Sequence, residues 1–141
     1  MTAQGISLGA TVLLILPMVY FTISSLTFFL KRLDDPVVGW MLRGLFSVYF
    51  KAVIAGCVLA VIAFAAAGRP AVAAGLAALL AADVAARAWF LRRMDEEIRV
   101  RDAGDALAPR RMRRVHLGGI AWNGLQLVAV AAAVPRLFPG V

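Results

Sequence analysis

Residues 44–67 read GLFSVYFKAVIAGCVLAVIAFAAA, a run whose only charge is Lys51. A helix needs about 20 predominantly apolar residues to cross the ~30 Å hydrocarbon layer of a bilayer, so this stretch reads as a transmembrane span. Working outward, three further runs meet the same requirement: residues 6–30, 71–91 and 112–134. Together they use most of the 141 residues and leave room for one compact bundle and no soluble domain. The expected fold is therefore all-α, an integral membrane four-helix bundle forming a single transmembrane domain over residues 1–141. Composition agrees: 62% of the residues are apolar and 16% charged, against roughly 45–50% and ~25% in soluble domains. The mean hydropathy is +0.85.

The punctuation between the runs predicts where helices start and stop. Asp35 before Pro36 is a helix-start signal, since aspartate suits the N-cap and proline the first helical position. The second helix should begin there and pass Trp40 and Arg43 before entering its span. Gly68, Arg69 and Pro70 predict a tight reversal. The charged stretch after the third span still reads as helix, with Asp95–Arg99 and Glu97–Arg101 as opposite charges four apart. Its acidic residues alternate with arginines, as on a solvated helical face. Ala103 and Gly104 mark the break, Pro109 opens the fourth helix, and Pro135 and Pro139 close the chain. Pro17 falls inside the first span, where Thr11, Thr22, Ser24, Ser25 and Thr27 supply hydroxyls for backbone groups freed by the ring. No Lys or Arg precedes Lys31, so a cleaved signal peptide is not expected and the first run is retained as a span.

Charge sets the expected orientation. Lys31, Arg32, Arg43, Lys51, Arg87, Arg92, Arg93, Arg99, Arg101, Arg110, Arg111, Arg113 and Arg114 border or fill the connections near residues 31–43 and 92–111. Only Arg69 and Arg136 belong to the other side. The positive-inside rule then predicts both connections in the cytoplasm, both termini on the non-cytoplasmic side, and Trp40 and Trp89 as interfacial anchors. The net charge of +7 follows from these flanks facing anionic headgroups, and nucleic-acid binding is not expected. Arg110, Arg111, Arg113 and Arg114 are the candidate headgroup contacts.

Five polar side chains at membrane depth form a candidate intramembrane cluster in the cytoplasmic half: Lys51, Asp83, Arg87, His116 and Asn123. Gln126 joins them, because His116, Gly119, Asn123 and Gln126 recur at helical spacing along one stripe of the fourth span. At ~1.5 Å per residue, Asp83 lies about 18–20 Å in from the outer end of its helix. An aspartate there costs about 2.5–3.5 kcal/mol on insertion scales, so it should face the interior. Arg87, one turn on, can pair with it, and Lys51 or Asn123 can answer it instead. Either a structural pair that fixes helix register or an ion, proton or substrate site fits this pattern.

Chemistry beyond that is thin. Cys57 is the only cysteine and lies within an apolar run, where a free thiol acts as a small hydrophobe. His116 is the only histidine, so haem ligation would need a second subunit or Met as its partner. No phosphate loop, zinc motif or nucleophile–base pair stands out, and no catalytic residue, metal or cofactor is assigned. Two small-residue ridges, Ala52–Gly56–Ala60 and Ala74–Ala78–Ala82–Ala86, allow close helix packing, within the bundle or at a homodimer face.

The stretch from Pro17 to Lys51, with Pro17-Met18-Val19-Tyr20-Phe21 and Gly39-Trp40-Met41-Leu42-Arg43-Gly44-Leu45-Phe46-Ser47-Val48-Tyr49-Phe50, resembles a widespread family of small four-span bacterial membrane proteins catalogued as a domain of unknown function. Arg113, His116, Asn123, Gln126 and Leu127 are similar to the opening of that family's last span. The chain departs from the family's Leu-His pair at Val115-His116 and has Lys51 where a second aromatic is usual. The resemblance implies the four-helix architecture and no known chemistry.

Three functions remain open at this point. The first is a non-catalytic accessory subunit or assembly factor of a larger complex in the bacterial cytoplasmic (inner) membrane, partnered by anionic lipid and by other membrane subunits or itself. The alternative is a small oligomeric transporter or channel using the Asp/Arg/Lys cluster. The third is a haem- or quinone-linked membrane protein.

Overall fold

The computed structural model describes residues 2–138, which form four helices: α1 (Ala3–Thr27), α2 (Pro36–Ala66), α3 (Pro70–Asp102) and α4 (Ala108–Leu137). Each is long and apolar enough to cross a membrane. Pro139 and the side chain of Arg136, both used in the sequence reading, lie outside the described residues.

Local chemistry accounts for the boundaries. Asp35 caps α2 as expected, its carboxylate accepting from the Val37 N–H at 2.8 Å, with Pro36 in the first turn. Gly68 takes a left-handed φ of +71° after α2, and the Arg69 N–H donates back to the Phe64 carbonyl at 2.9 Å. A side chain is strained at such a φ, which is why glycine stands there. Gly104 does the same after α3 at φ +98°. The expected spans 71–91 and 112–134 are thus the apolar parts of longer helices, and α1 ends three residues before the predicted 30. The carbonyls of Phe28, Phe29 and Lys31, just past α1, accept from the Arg113 guanidinium at 3.4, 3.3 and 2.9 Å. Leu33, two residues on, is buried in the core.

The helices run up and down around a ring, each touching its two neighbours, with α2 on α3 the most extensive contact. Residues 31 and 33 long, α2 and α3 extend about 46 and 50 Å at ~1.5 Å per residue, well beyond a ~30 Å hydrocarbon layer. Their surplus projects together at the end carrying the α1–α2 and α3–α4 connections, called here the basic end. There Arg43 of α2 makes a two-pronged salt bridge to Asp95 of α3, at 2.8 and 3.0 Å.

This corrects the ion pairing read from helical spacing. Asp95 answers Arg43 across the hairpin instead of Arg99 on its own helix. Glu97 meets Arg93 at 3.1 Å and Arg111 of α4 at 2.8 Å, while Arg101 turns to Asp102 at 2.7 Å. Nor is this a fully solvated face, for Glu97 is only 2% exposed. Spacing along one helix finds possible partners; the buried Glu97 carboxylate takes one guanidinium from its own helix and one from α4, and the two together offset its desolvation.

The two halves of the ring are filled differently. Toward the basic end Phe21, Phe46, Tyr49, Phe50 and Phe90 interlock, with Phe21 stacked on Tyr49 at 4.2 Å and edge-on to Phe46 at 5.0 Å. Gly119 lets α4 reach this cluster, because a Cβ there would collide with the Phe46 ring. Gly56 does the same between α1 and α2: its missing Cβ would lie 3.1 Å from Leu14 Cα and 3.5 Å from the Leu13 carbonyl. That carbonyl is the one Pro17 leaves without its helical donor, and the hydroxyls of Thr11 and Thr22 go to Ser7 and Met18 instead. Toward the opposite end alanine and glycine alternate with leucine and Phe64, and an apolar cleft opens between the helices.

Candidate functional site

Asp83 is fully buried where α2, α3 and α4 meet. Its Oδ1 accepts from the indole N–H of Trp122 at 3.0 Å and the amide of Gln126 at 2.5 Å. The Gln126 carbonyl accepts in turn from the Tyr49 hydroxyl at 3.2 Å, and the Cys57 sulfur stands 4.0 Å from Oδ2. The carboxyl therefore latches α3 to α4 and, through Gln126, to α2. Among the described residues no cation lies within salt-bridge distance of it. Spacing and depth offered Arg87, Lys51 and Asn123 as possible answers; the structure uses the neutral donors Trp122 and Gln126.

The other predicted polar residues separate into distinct places. Asn123 donates to the Met18 carbonyl at 3.0 Å and the Thr22 hydroxyl at 2.8 Å, tying α4 to α1. His116 is fully buried in an aromatic cage, with ring centroids 6.1, 5.4 and 6.2 Å from Phe28, Phe29 and Phe46. Neither of its nitrogens has a hydrogen-bond partner among the described residues. Arg87 is half-buried one turn from Asp83, and Lys51 is exposed on the outside of α2. The stripe His116–Gly119–Asn123–Gln126 does face inward along its whole length, so Gln126 and Asp83 are brought together, whereas His116, Asn123 and Lys51 are not part of their network.

Trp122, Tyr49 and Cys57 belong to the Asp83 site and were not singled out from sequence as its partners. A usable signal existed for two of them. A buried tyrosine or tryptophan normally finds a partner for its polar atom, and in an apolar span the choices are few.

The four arginines that open α4 also divide. Arg111 bridges Glu97 and Asp105, at 2.8 and 2.7 Å, and so holds α3 to α4; that hydrogen bond holds the Asp105 carboxyl below its usual range. Arg113 serves the carbonyls just past the end of α1. Arg110 and Arg114 are exposed and lie within salt-bridge distance of no carboxylate among the described residues. Together with Lys31, Arg32 and Asp34 they surround a cavity of about 640 Å³ between the α1–α2 turn and α4. The Asp34 carboxyl is held low by its hydrogen bond from Arg32.

A second cavity, about 440 Å³, is the apolar cleft of the opposite half, lined by Leu14, Phe64, Leu76, Leu79, Val130 and Leu137 among others. Leu79 and Val130 stand one turn from Asp83 and Gln126, so the cleft ends near the latch without reaching the buried carboxyl. At its far end Arg69 donates to the Leu137 carbonyl at 2.6 Å and lies 5.5 Å over the Phe64 ring. No group of three or more His, Cys, Asp or Glu side chains gathers as a metal site among the described residues.

Compared with known proteins, the chain matches no family model, no curated protein and no solved structure.

Proposed function

We propose that this chain is a multi-pass protein of the bacterial cytoplasmic membrane, with its basic end inside and both termini outside. It acts there as a non-catalytic accessory subunit or assembly factor docked against other membrane helices. Four apolar helices and the gathering of arginine at one end support the placement.

The observation that carries the role is the contrast between the two faces of α3. Its inner face is latched by Asp83 to neutral donors on α4, an arrangement that fixes rotation and register. Its outer face leaves Ala71, Ala74, Ala77, Ala78 and Ala81 uncovered. Lipid drives helix association weakly through apolarity, so small residues matter by letting backbones approach. A face this flat, on a helix whose other face is anchored, suits a helix from a partner subunit. The disposition of the polar groups argues against transport. Lys51 points outward, Asp83 borders neither cavity, and His116 and Asn123 sit in places of their own.

Native mass spectrometry of protein extracted from its own membrane in mild detergent tests the role, with Ala74→Leu/Ala78→Leu as the variant. The expected result is a complex of fixed stoichiometry with other subunits, lost in the variant while its helicity and membrane integration persist. A wild-type monomer, or a complex indifferent to both leucines, overturns the reading.

A further inference from the structure

We infer that the cavity between the α1–α2 turn and the start of α4 is a binding site for one anionic phospholipid whose headgroup carries two phosphates. Five cationic side chains line it, Lys31, Arg32, Arg110, Arg113 and Arg114, against the single carboxylate of Asp34. The Arg32–Asp34 bridge is exposed, at 85% and 53%, so a phosphate can compete for Arg32 at little cost. Arg113 is held in place by three carbonyls of the α1 end and forms a fixed floor. Arg110 and Arg114 are one turn apart, about 6 Å along the axis, and project freely beside it. Lys31 stands on the opposite wall.

The cavity has two cationic walls and a volume of about 640 Å³, within the ~300–1,000 Å³ range of small-ligand sites. Two bridged phosphates match it better than one. The remaining wall shows where the rest of the ligand goes. Phe29, Leu30 and Leu117 line the same cavity, and Leu30 is 90% exposed and Leu117 47%. These apolar side chains lie on the membrane side of the arginines and offer a path for acyl chains. A soluble diphosphate would leave them uncovered. Basic pockets between helices at the cytoplasmic border are the arrangement expected for such headgroups.

The inference rests on the membrane placement proposed above and is independent of docking by α3. Carbonate washing of membranes that hold the wild-type protein tests placement by itself. The site is tested by native mass spectrometry of delipidated protein titrated with cardiolipin, phosphatidylglycerol or phosphatidylcholine. The expected result is one cardiolipin retained per chain, at least tenfold more tightly than phosphatidylcholine. Arg110→Ala/Arg114→Ala should weaken retention by about 30-fold, the share of two arginines in headgroup attraction. Arg110→Lys/Arg114→Lys should restore most of it, because lysine still binds phosphate as a point charge. Arg92→Ala/Arg99→Ala, which removes the same charge from exposed positions of α3, should leave retention unchanged. Equal loss in that control would reduce the effect to diffuse charge and overturn the proposal. So would a lack of preference for cardiolipin, or displacement of the lipid by inorganic pyrophosphate at matching concentration.

Discussion

The half of the bundle near the basic end and the half at the opposite end are built from the same four helices but hold together in different ways. The first interlocks five aromatic rings around Gly119 and surrounds them with interhelical ion pairs. The second places Ala60, Gly75, Ala129 and Ala133 around an apolar cleft of about 440 Å³, tied at the end by Arg69. Between them lies the Asp83–Gln126–Tyr49 latch. Shape and dispersion decide packing where lipid is as apolar as the core, so the two halves should differ in their response to the same kind of mutation.

The largest expected contrast is between truncations on either side. Phe46→Ala removes the ring that meets Phe21, Phe50 and Phe90 and covers Gly119. It should cost about 3 kcal/mol, the low end of the Phe→Ala range, because burial from lipid adds less than burial from water. Leu79→Ala only enlarges a cleft that is already open and should cost under about 1 kcal/mol. Reversible unfolding in mixed micelles measures both, and equal losses would break the distinction between the halves.

Next in size is the latch. Asp83→Ala leaves the Trp122 indole and the Gln126 amide without their acceptor, and should cost about 1–3 kcal/mol. Asp83→Asn keeps an acceptor oxygen at the same place and should cost less than half as much by the same assay. If Asn is as damaging as Ala, the charge itself matters and the structural role given to Asp83 is wrong.

How far the sequence foretold all this depends on the range of the interaction concerned. The helices were legible because their signals are local: apolar runs of spanning length, Asp35 before Pro36, Gly68 and Gly104 at left-handed turns. The inward stripe of α4 was legible because helical period is local too. Partners were not. Asp83 offered Arg87, Lys51 and Asn123 on spacing and depth, yet it bonds to Trp122 and Gln126, since rotation of α4 about its axis decides which donors reach it. Lys51 counted as a cluster member by depth alone, but depth says nothing about facing, and the residue points outward. The solvated reading of residues 92–111 failed for the same reason at Glu97, whose second guanidinium comes from α4.

The open half should also gain from small additions that the packed half refuses. A Cβ on Gly75 meets nothing within 4 Å, so Gly75→Ala should stabilise the protein by about 0.5–1 kcal/mol through lost backbone freedom in the unfolded chain. Gly119→Ala, at an equally helical position, should destabilise it, because the Phe46 ring occupies the space. Opposite signs at two glycines 44 residues apart would sharpen the comparison further than magnitudes can. A destabilising Gly75→Ala would mean that the cleft closes on α3.

The smallest expected effect belongs to the ion pairs at the basic end and is read through pH. Asp105 accepts from Arg111 at 2.7 Å and from the Leu107 N–H at 2.8 Å, and both bonds lower its carboxyl below the ordinary 3.8. A group whose folded value is lowered stabilises the fold fully above its ordinary value and loses that contribution as pH falls through the lowered one. The α3–α4 turn should therefore keep its stability from neutral pH down to about 4 and weaken below it, since ∂ΔG/∂pH is positive only where the unfolded chain holds the extra proton. Asp105→Asn should flatten that acid limb and change little at pH 7, because the pair is exposed and Arg111 keeps Glu97. Amide hydrogen exchange at residues 103–108, followed from pH 6 to pH 3 and corrected for intrinsic rates, reads the limb directly. An unchanged limb in the variant would mean that the Asp105–Arg111 pair does not carry the acid sensitivity of the turn.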